Sequence, residues 1–459
     1  MTICYASREF FPFYYGGIGS HFYFQMKMLK ENGHRVAFVT VKYDNTDEQL
    51  LNKHYDGIEL VFIDKSVEFF STHTNMNNSH QLWRAIDDLI SNKNYHFDYI
   101  IFPDCGAEGF FTVLNKTIND LYPESKVLIE IEGPMKDVAI RNKDFVDGHF
   151  ELTKMMEEFC YINCNFFTSP SKIMFDELHN NIDMDNVEYE IVPNLVNANF
   201  LQTKSNVSEV RKNVFFMGRL EYRKGPDLLI EAFAEIVDEG FFKNSFLQFE
   251  GRDQFWVDYN KTFQEHWTES LNANQLQRIE YLEFLSHEEL RKIFSMTWVA
   301  VFPSRWEPFG NVALESILAG VPVIIPRGTG LTEIVGNNYE FLFDAGNKDS
   351  LKDVLSRVLS ISLKEHKILS SKFKHRGREL LNSSETIFKN MLENNLYNHF
   401  KLGKNEANSR RIFEIFYSFG MLGGDNSKLY EELEKCCELL GKEFLLLKQY
   451  FIKLKESRE

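Results

Sequence analysis

The stretch Glu307-Pro308-Phe309-Gly310-Asn311-Val312-Ala313-Leu314-Glu315 governs how the second half of the chain is read. It follows the apolar run Trp298–Phe302, which has strand character. It then opens a helix, because Val312, Leu314, Ile317 and Leu318 recur at helical spacing until Gly320, a helix-ending residue backed by Pro322. A helix start presents unsatisfied N–H groups and a partial positive charge, which suits an anion. Glu307 stands in the loop, and Glu315 lies eight residues on, roughly 12 Å further by helical rise. Two acids so placed can meet the two ends of one extended ligand with an anionic middle.

The pattern around this stretch repeats along the chain. Strands are expected at Thr2–Ala6, Arg35–Val41, Ile58–Ile63, Tyr99–Phe102, Lys126–Ile131, Phe166–Thr168 and Tyr189–Val192, with helical patterns such as His21–Asn32 and His80–Asn92 between them. After the polar segment Gln202–Lys212 the alternation restarts with strands at Asn213–Met217, Phe246–Phe249, Ile279–Glu283, Trp298–Phe302 and Val321–Ile325, and helices at Asp227–Glu239 and His287–Ser295. Such alternation gives parallel sheets covered on both faces. The class is therefore α/β, in two Rossmann-like domains of 1–201 and 202–381. Ligands of open α/β sheets bind beyond the carboxyl ends of the strands, so a cleft between two facing domains is the expected site. Asn382-Ser383-Ser384-Glu385 reads as a fresh helix start leading into Ile387–Phe400. Residues 401–459 are expected to form a helical extension. Within it Leu429, Leu433, Cys436, Leu440, Phe444, Leu447, Phe451 and Leu454 suit either a coiled-coil seam that pairs two copies or an amphipathic helix packed on the body.

Composition narrows the function. The chain has 459 residues, 44% of them hydrophobic, and a formal charge of -16, which argues against nucleic acid as a partner. Met1–Ala6 reads as a strand entering the fold directly, with no basic and apolar leader before it, and no apolar run is long enough to span a bilayer. Cytoplasmic placement follows as the expectation, with contact at the inner membrane face left open. The six cysteines (Cys4, Cys105, Cys160, Cys164, Cys436 and Cys437) form no paired CxxC units, so buried free thiols are expected and a zinc site is not.

Two further segments lie at expected strand ends. Gly16-Gly17-Ile18-Gly19 follows the first strand and precedes an apolar helix. It suits a close backbone approach to phosphate, although glycines there also serve turn geometry alone. The aromatic run Phe10–Tyr15 just before it suits loop packing, or an acceptor or headgroup contact. Gly218-Arg219-Leu220-Glu221-Tyr222-Arg223-Lys224-Gly225-Pro226 follows the first strand of the second domain, where Arg219 and Lys224 could hold a diphosphate and stabilise it on departure, or could be ordinary surface charges. Together with the two acids, the ligand shape is that of a nucleotide-sugar.

Taken in order, these motifs resemble the retaining glycosyltransferases of family four, with the GT-B fold, over about residues 1–400. The resemblance rests on Gly16–Gly19, Asn32-Gly33-His34, Pro193-Asn194, Gly218-Arg219-Leu220, Lys224-Gly225, Pro303-Ser304 and the paired glutamates. It implies that Arg219 and Lys224 bind the donor diphosphate and that Glu307 contacts the transferred sugar. It implies backbone contacts from Phe309, Gly310 and Asn311, a ribose hydrogen bond from Glu315, and approach by Gly17 and Gly19 from the other domain. Gly251 and the Tyr281–Leu285 edge would lie near the base, and the helix of 382–400 would cross back onto the first domain. The implied reaction retains configuration, needs no metal or cofactor, and passes sugar to a glycan, lipid-linked or protein acceptor in polysaccharide or glycoconjugate synthesis. A non-catalytic nucleotide-sugar-binding scaffold is the alternative. One position departs from the pattern: in Ile131-Glu132-Gly133-Pro134, Glu132 stands where a histidine is expected. Glu132, with Asp104, is a candidate contact for sugar or acceptor. Leu195 follows Asn194 where glycine is usual.

Overall fold

The computed structural model describes residues 1–12, 16–43, 47–63, 73–184, 187–282 and 285–395, with Ile412 and Ile415 beyond them. The first lobe runs β1 (Thr2–Ala6), α1 (Gly17–Glu31), β2 (Arg35–Val41), α2 (Glu48–His54), β3 (Glu59–Ile63), α3 (Thr74–Ser91), β4 (Tyr99–Pro103), α4 (Phe110–Asn119), β5 (Lys126–Glu130), α5 (Met135–Arg141), α6 (Gly148–Asn163), β6 (Phe166–Ser169), α7 (Lys172–His179) and β7 (Glu188–Ile191). The second runs β8 (Lys212–Met217), α8 (Pro226–Asp238), β9 (Ser245–Glu250), the short pair β10 (Phe255–Trp256) and β11 (Lys261–Thr262), α9 (Phe263–Ser270), α10 (Ala273–Leu276), β12 (Ile279–Leu282), α11 (His287–Met296), β13 (Thr297–Val301), α12 (Asn311–Ala319), β14 (Val323–Pro326), α13 (Gly330–Val335), β15 (Leu342–Phe343), α14 (Lys348–Ser360) and α15 (Leu363–Asn395).

The strands pair in parallel in the orders β3-β2-β1-β4-β5-β6-β7 and β12-β9-β8-β13-β14-β15. β4 and β13 are buried along their whole length, as helices on both sheet faces require. Each order reverses once, between β1 and β4 and between β8 and β13. Loops diverge at such a switch point and leave a crevice at the strands' carboxyl ends. One hydrophobic core is built by the first lobe with Trp306 of the second joining it, and another lies within the second lobe. A third is shared: Phe10, Phe22 and Leu128 pack in the same cluster as Phe302, Leu314, Phe388 and Leu392.

The expected strands and helices appear with shifts of a residue or two at their ends, apart from α1, which begins four residues before His21, and α3, which begins six before His80. The region after residue 360 corrects the sequence reading. No helix starts at Asn382, because α15 runs unbroken from Leu363 to Asn395. Ser384 does not cap a helix; it is buried, and its hydroxyl donates to the Leu380 carbonyl at 3.0 Å. The end of α15 docks on the first lobe, where the Tyr99 hydroxyl donates to the Leu392 carbonyl at 2.7 Å. Ile412 and Ile415 are buried in the first lobe's core. The expected coiled-coil seam, and with it the pairing of copies, lies outside the described residues.

Candidate active site

Every charged motif singled out in the second domain emerges from its switch point. Gly218–Lys224 follows β8, and Glu307 and α12 follow β13. The glycine loop before α1 and the Asp104 segment after β4 occupy the equivalent place in the first lobe.

At the centre, the Lys224 ammonium contacts Glu307 Oε2, and Arg223 Nη1 lies 3.8 Å from the same oxygen. Ser304 Oγ donates to it at 3.4 Å. Burial alone would raise the Glu307 carboxyl, but Lys224 and Arg223 outweigh it and hold the group below its ordinary value. Burial draws the Lys224 ammonium down against the pull of Glu307. Arg223 is itself buried, with Nη2 donating to Glu221 Oε1 at 2.6 Å and Nη1 to the Trp306 carbonyl at 3.4 Å. Arg219 is more exposed and pairs with the same Glu221 oxygen at 3.3 Å. Asp144, in the first lobe, has a carboxyl pushed up by burial and by Glu221, and drawn down by Arg219.

Gly310 caps α12 at φ 102° with no side chain bonded over the helix start; the Ala313 N–H donates to the Gly310 carbonyl at 3.0 Å, which leaves the Asn311 and Val312 N–H groups for a ligand. A side chain at Gly310 would strike Leu331. Phe309 turns its ring into the shared core, and its backbone is covered by Gly330, so the residue as a whole is buried. The loop is braced by the Gly330 N–H donating to the Glu307 carbonyl at 2.9 Å and by Ser171 Oγ, from the first lobe, donating to the Pro308 carbonyl at 2.6 Å. Asn311 Nδ2 donates to the Gly17 carbonyl at 3.1 Å, so the two loops meet across the cleft. The start of α1 already holds an anion: Glu9 Oε2 accepts from the Gly16 N–H at 2.7 Å and from the Gly19 N–H at 3.1 Å.

Glu315 is buried on α12, where burial and then Glu250 push its carboxyl up to about 8. Glu250 ends β9, accepts from the Leu285 N–H at 3.4 Å and is itself raised to about 6 by burial. Gly251, at φ 140°, lies so close to the Gly218 carbonyl that a Cβ would overlap it. Its role in the fold is to let the ends of β8 and β9 close together.

In the first lobe Asp104 is buried and holds the turn after β5, accepting from the Glu132 N–H at 2.9 Å, the Gly133 N–H at 3.3 Å and the Tyr161 hydroxyl at 2.8 Å. The Glu132 side chain accepts from Asn194 Nδ2 at 3.0 Å. Burial, with Glu130 and Asp104 nearby, pushes it up to about 8 against the pull of His21. Gly133 packs against Trp306 and Pro308, which sets this turn opposite the Glu307 loop. His21, Glu130 and Glu132 bring ligand atoms within 4.8 Å of one another. The hydrogen bonds fit a metal poorly. His21 Nδ1 accepts from the Leu195 N–H at 2.8 Å, so a neutral ring carries its proton on Nε2, which donates to Glu130 at 2.9 Å. Neither nitrogen then has a free lone pair.

The structure gathers the sequence candidates Lys224, Glu307 and Arg219 around the start of α12, and it adds a contact that the sequence did not suggest, from the Asn311 side chain to the Gly17 carbonyl. Sequence reading missed Arg223, Glu221, Glu9 and Glu250. Arg223 alone carried a signal, as a third cation in the quoted loop.

Residues 198–379 match the family described as glycosyl transferases group 1. The matched segment contains Arg219, Lys224 and both motif glutamates. An uncharacterised glycosyltransferase of Methanocaldococcus jannaschii is 32% identical over 155 residues, 34% of this chain and 37% of the relative. The chain spans less than half the length of this and the spore coat protein SA of Bacillus subtilis, of which the match covers 48%. Sucrose-phosphate synthase from Thermosynechococcus elongatus superposes with a TM-score of 0.65 at 17% identity, over 86% of this chain and 98% of that one. HepE of Anabaena, in complex with UDP and glucose, gives 0.60 at 14% identity over 86% and 100%. These likenesses extend beyond the matched segment to both lobes, and the fold is GT-B.

Proposed function

We propose that this chain is a retaining glycosyltransferase that moves a sugar from a nucleotide-sugar to an acceptor hydroxyl on a glycan, lipid-linked or protein acceptor. The reading rests above all on the buried Lys224–Glu307 pair, backed by Arg223, at the foot of an uncapped helix start that faces the other lobe. Such a group of cations and N–H donors suits a diphosphate leaving group. The Anabaena protein named above, bound to UDP and glucose, supports a nucleotide-sugar as donor.

In this scheme the donor diphosphate takes the place of Glu307 as partner of Lys224, and Glu307 turns to the sugar hydroxyls. The bond from the anomeric carbon to the phosphate oxygen breaks, and the bond to the acceptor oxygen forms on the same face. The acceptor's proton passes to the departing phosphate oxygen. Lys224, Arg219 and the α12 N–H groups carry the leaving charge, so no metal is required of the mechanism. Glu315 and Glu250 receive ribose and base, and protonated Glu315 can donate as well as accept. Among the described residues no helix is long and apolar enough to cross a membrane. We place the chain in the cytoplasm, serving polysaccharide or glycoconjugate synthesis.

The test is release of nucleoside diphosphate from a panel of UDP-, GDP- and ADP-sugars with mixed acceptors. Glu307→Ala and Lys224→Ala should each reduce turnover at least a hundredfold, about the effect of losing one transition-state donor. Unchanged rates in both variants would refute the assignment. Tight binding with no turnover on any donor would point to a scaffold, the reading that Glu132 in place of histidine favours.

A further inference from the structure

The first lobe reaches across the cleft and holds the cationic loop of the second through Asn142 and its neighbour Lys143. Asn142 ends α5, and its amide makes two bonds of opposite polarity. Nδ2 donates to Glu221 Oε2 at 3.2 Å, and Oδ1 accepts from the Arg223 N–H at 3.2 Å. Glu221 is buried and joins Arg219, Arg223 and Asn142, while Arg223 leads on to Glu307. The next residue reinforces the crossing: Lys143 pairs with Asp258 at 2.7 Å and lies 3.9 Å from the centre of the Tyr222 ring. α5 itself begins directly after Glu132-Gly133-Pro134. The short helix therefore connects the turn opposite Glu307 to the loop that carries Arg219 and Lys224.

We propose that Asn142 is a positioning residue for this loop, so that the cations are correctly placed for a diphosphate only when the lobes are closed. The proposal rests on the donor reading above. Glu221 would otherwise be free to draw Arg219 and Arg223 away from the cleft, since both guanidinium groups share its Oε1. With Asn142 bonded to the other oxygen, the carboxylate is pinned and both arginines are fixed at once. Donor affinity and lobe closure then become one equilibrium, because a ligand that prefers the closed form shifts the population toward it.

The experiment compares Asn142→Ala, Asn142→Asp and the double variant Asn142→Asp with Glu221→Gln. It measures binding of the nucleoside diphosphate that the wild type binds best by calorimetry, donor KM and kcat, and lobe separation by small-angle scattering. Asn142→Ala should weaken nucleoside diphosphate binding about tenfold or more, the range for a hydrogen bond to a charged group. Asn142→Asp sets two carboxylates together and should weaken it further and expand the particle. The double variant restores a donor and an acceptor with their places exchanged and should bind better than Asn142→Asp, though below wild type because Glu221→Gln also removes the charge paired with Arg219 and Arg223. A residue that merely stabilises the fold would lower thermal stability without this polarity-dependent rescue. Binding and donor KM equal to wild type in both single variants would overturn the proposal, as would a folded double variant that binds no better than Asn142→Asp. If Lys224→Ala also left binding intact, the donor reading would be the part that failed.

Discussion

Replacing Lys224 by alanine separates what the buried pair does for folding from what it does for chemistry. Glu307 is 10% exposed and Lys224 18%. Removing one member of a buried pair typically costs about 3–5 kcal/mol, because the other charge stays behind without its partner. Arg223 remains 3.8 Å from Glu307 Oε2 and Ser304 still donates to it, so the loss should fall at the low end. We expect about 3 kcal/mol, which in a chain of this size lowers the melting temperature by about 3 °C. Turnover should fall by about a hundredfold to a thousandfold through loss of leaving-group stabilisation. The second variant, Lys224→Ala with Glu307→Gln, removes the stranded charge. It should regain most of the lost stability and none of the lost turnover. Calorimetric melting and nucleoside diphosphate release, measured on the same preparations, decide the matter. Lys224→Ala as stable as the wild type, or a double variant with wild-type turnover, would refute the reasoning.

Other expectations follow from the same site. Glu132 and Glu315 both titrate near pH 8 in the fold and near the ordinary carboxylate value when unfolded, so the folded state binds more protons between about pH 4.5 and 8. Their contribution to stability is complete below that window and is lost as pH rises through about 8. Glu315→Gln should flatten this part of a melting-versus-pH curve, and an unchanged slope would show that Glu315 is not held neutral. Gly251→Ala should destabilise by about 1–3 kcal/mol from strained backbone and overlap with the Gly218 carbonyl, read as a lowered denaturant midpoint. Glu9→Gln should weaken the anion–dipole contact at the start of α1 by about 0.3–1 kcal/mol and tighten nucleoside diphosphate binding if donor phosphate competes for those N–H groups. Weaker binding would instead assign Glu9 a supporting role.

Much of this arrangement was legible before any coordinates, for a physical reason. Buried parallel strands such as Tyr99–Pro103 are continuous apolar runs, and the loops beyond them carry Gly, Pro and charge, so sheet and site announce themselves locally. Helix ends were less secure. Asn382–Glu385 has the composition of a cap, but Phe388, Met391 and Leu392 need a straight helix to reach the first lobe, and that packing overrides the local signal. The partners missed at the site are of a different kind. Glu9 on the start of α1, Glu250 beside Glu315, and Asn142 on Glu221 join segments that are remote in sequence or lie outside any motif. Nothing in composition marks Asn142 as different from the other asparagines. Its role arises only when two lobes are folded and brought face to face.

The unbroken course of α15 has a mechanical consequence. The lobes are tethered twice, once by the segment between β7 and β8 and once by this helix, which is anchored in the second lobe where the His366 ring contacts the Trp298 carbonyl at 2.7 Å and on the first at Leu392. A body held by two tethers pivots about the line that joins them. Opening should therefore resemble a door on two pins, with the swing largest at the rim farthest from the pins and smallest along α15 itself.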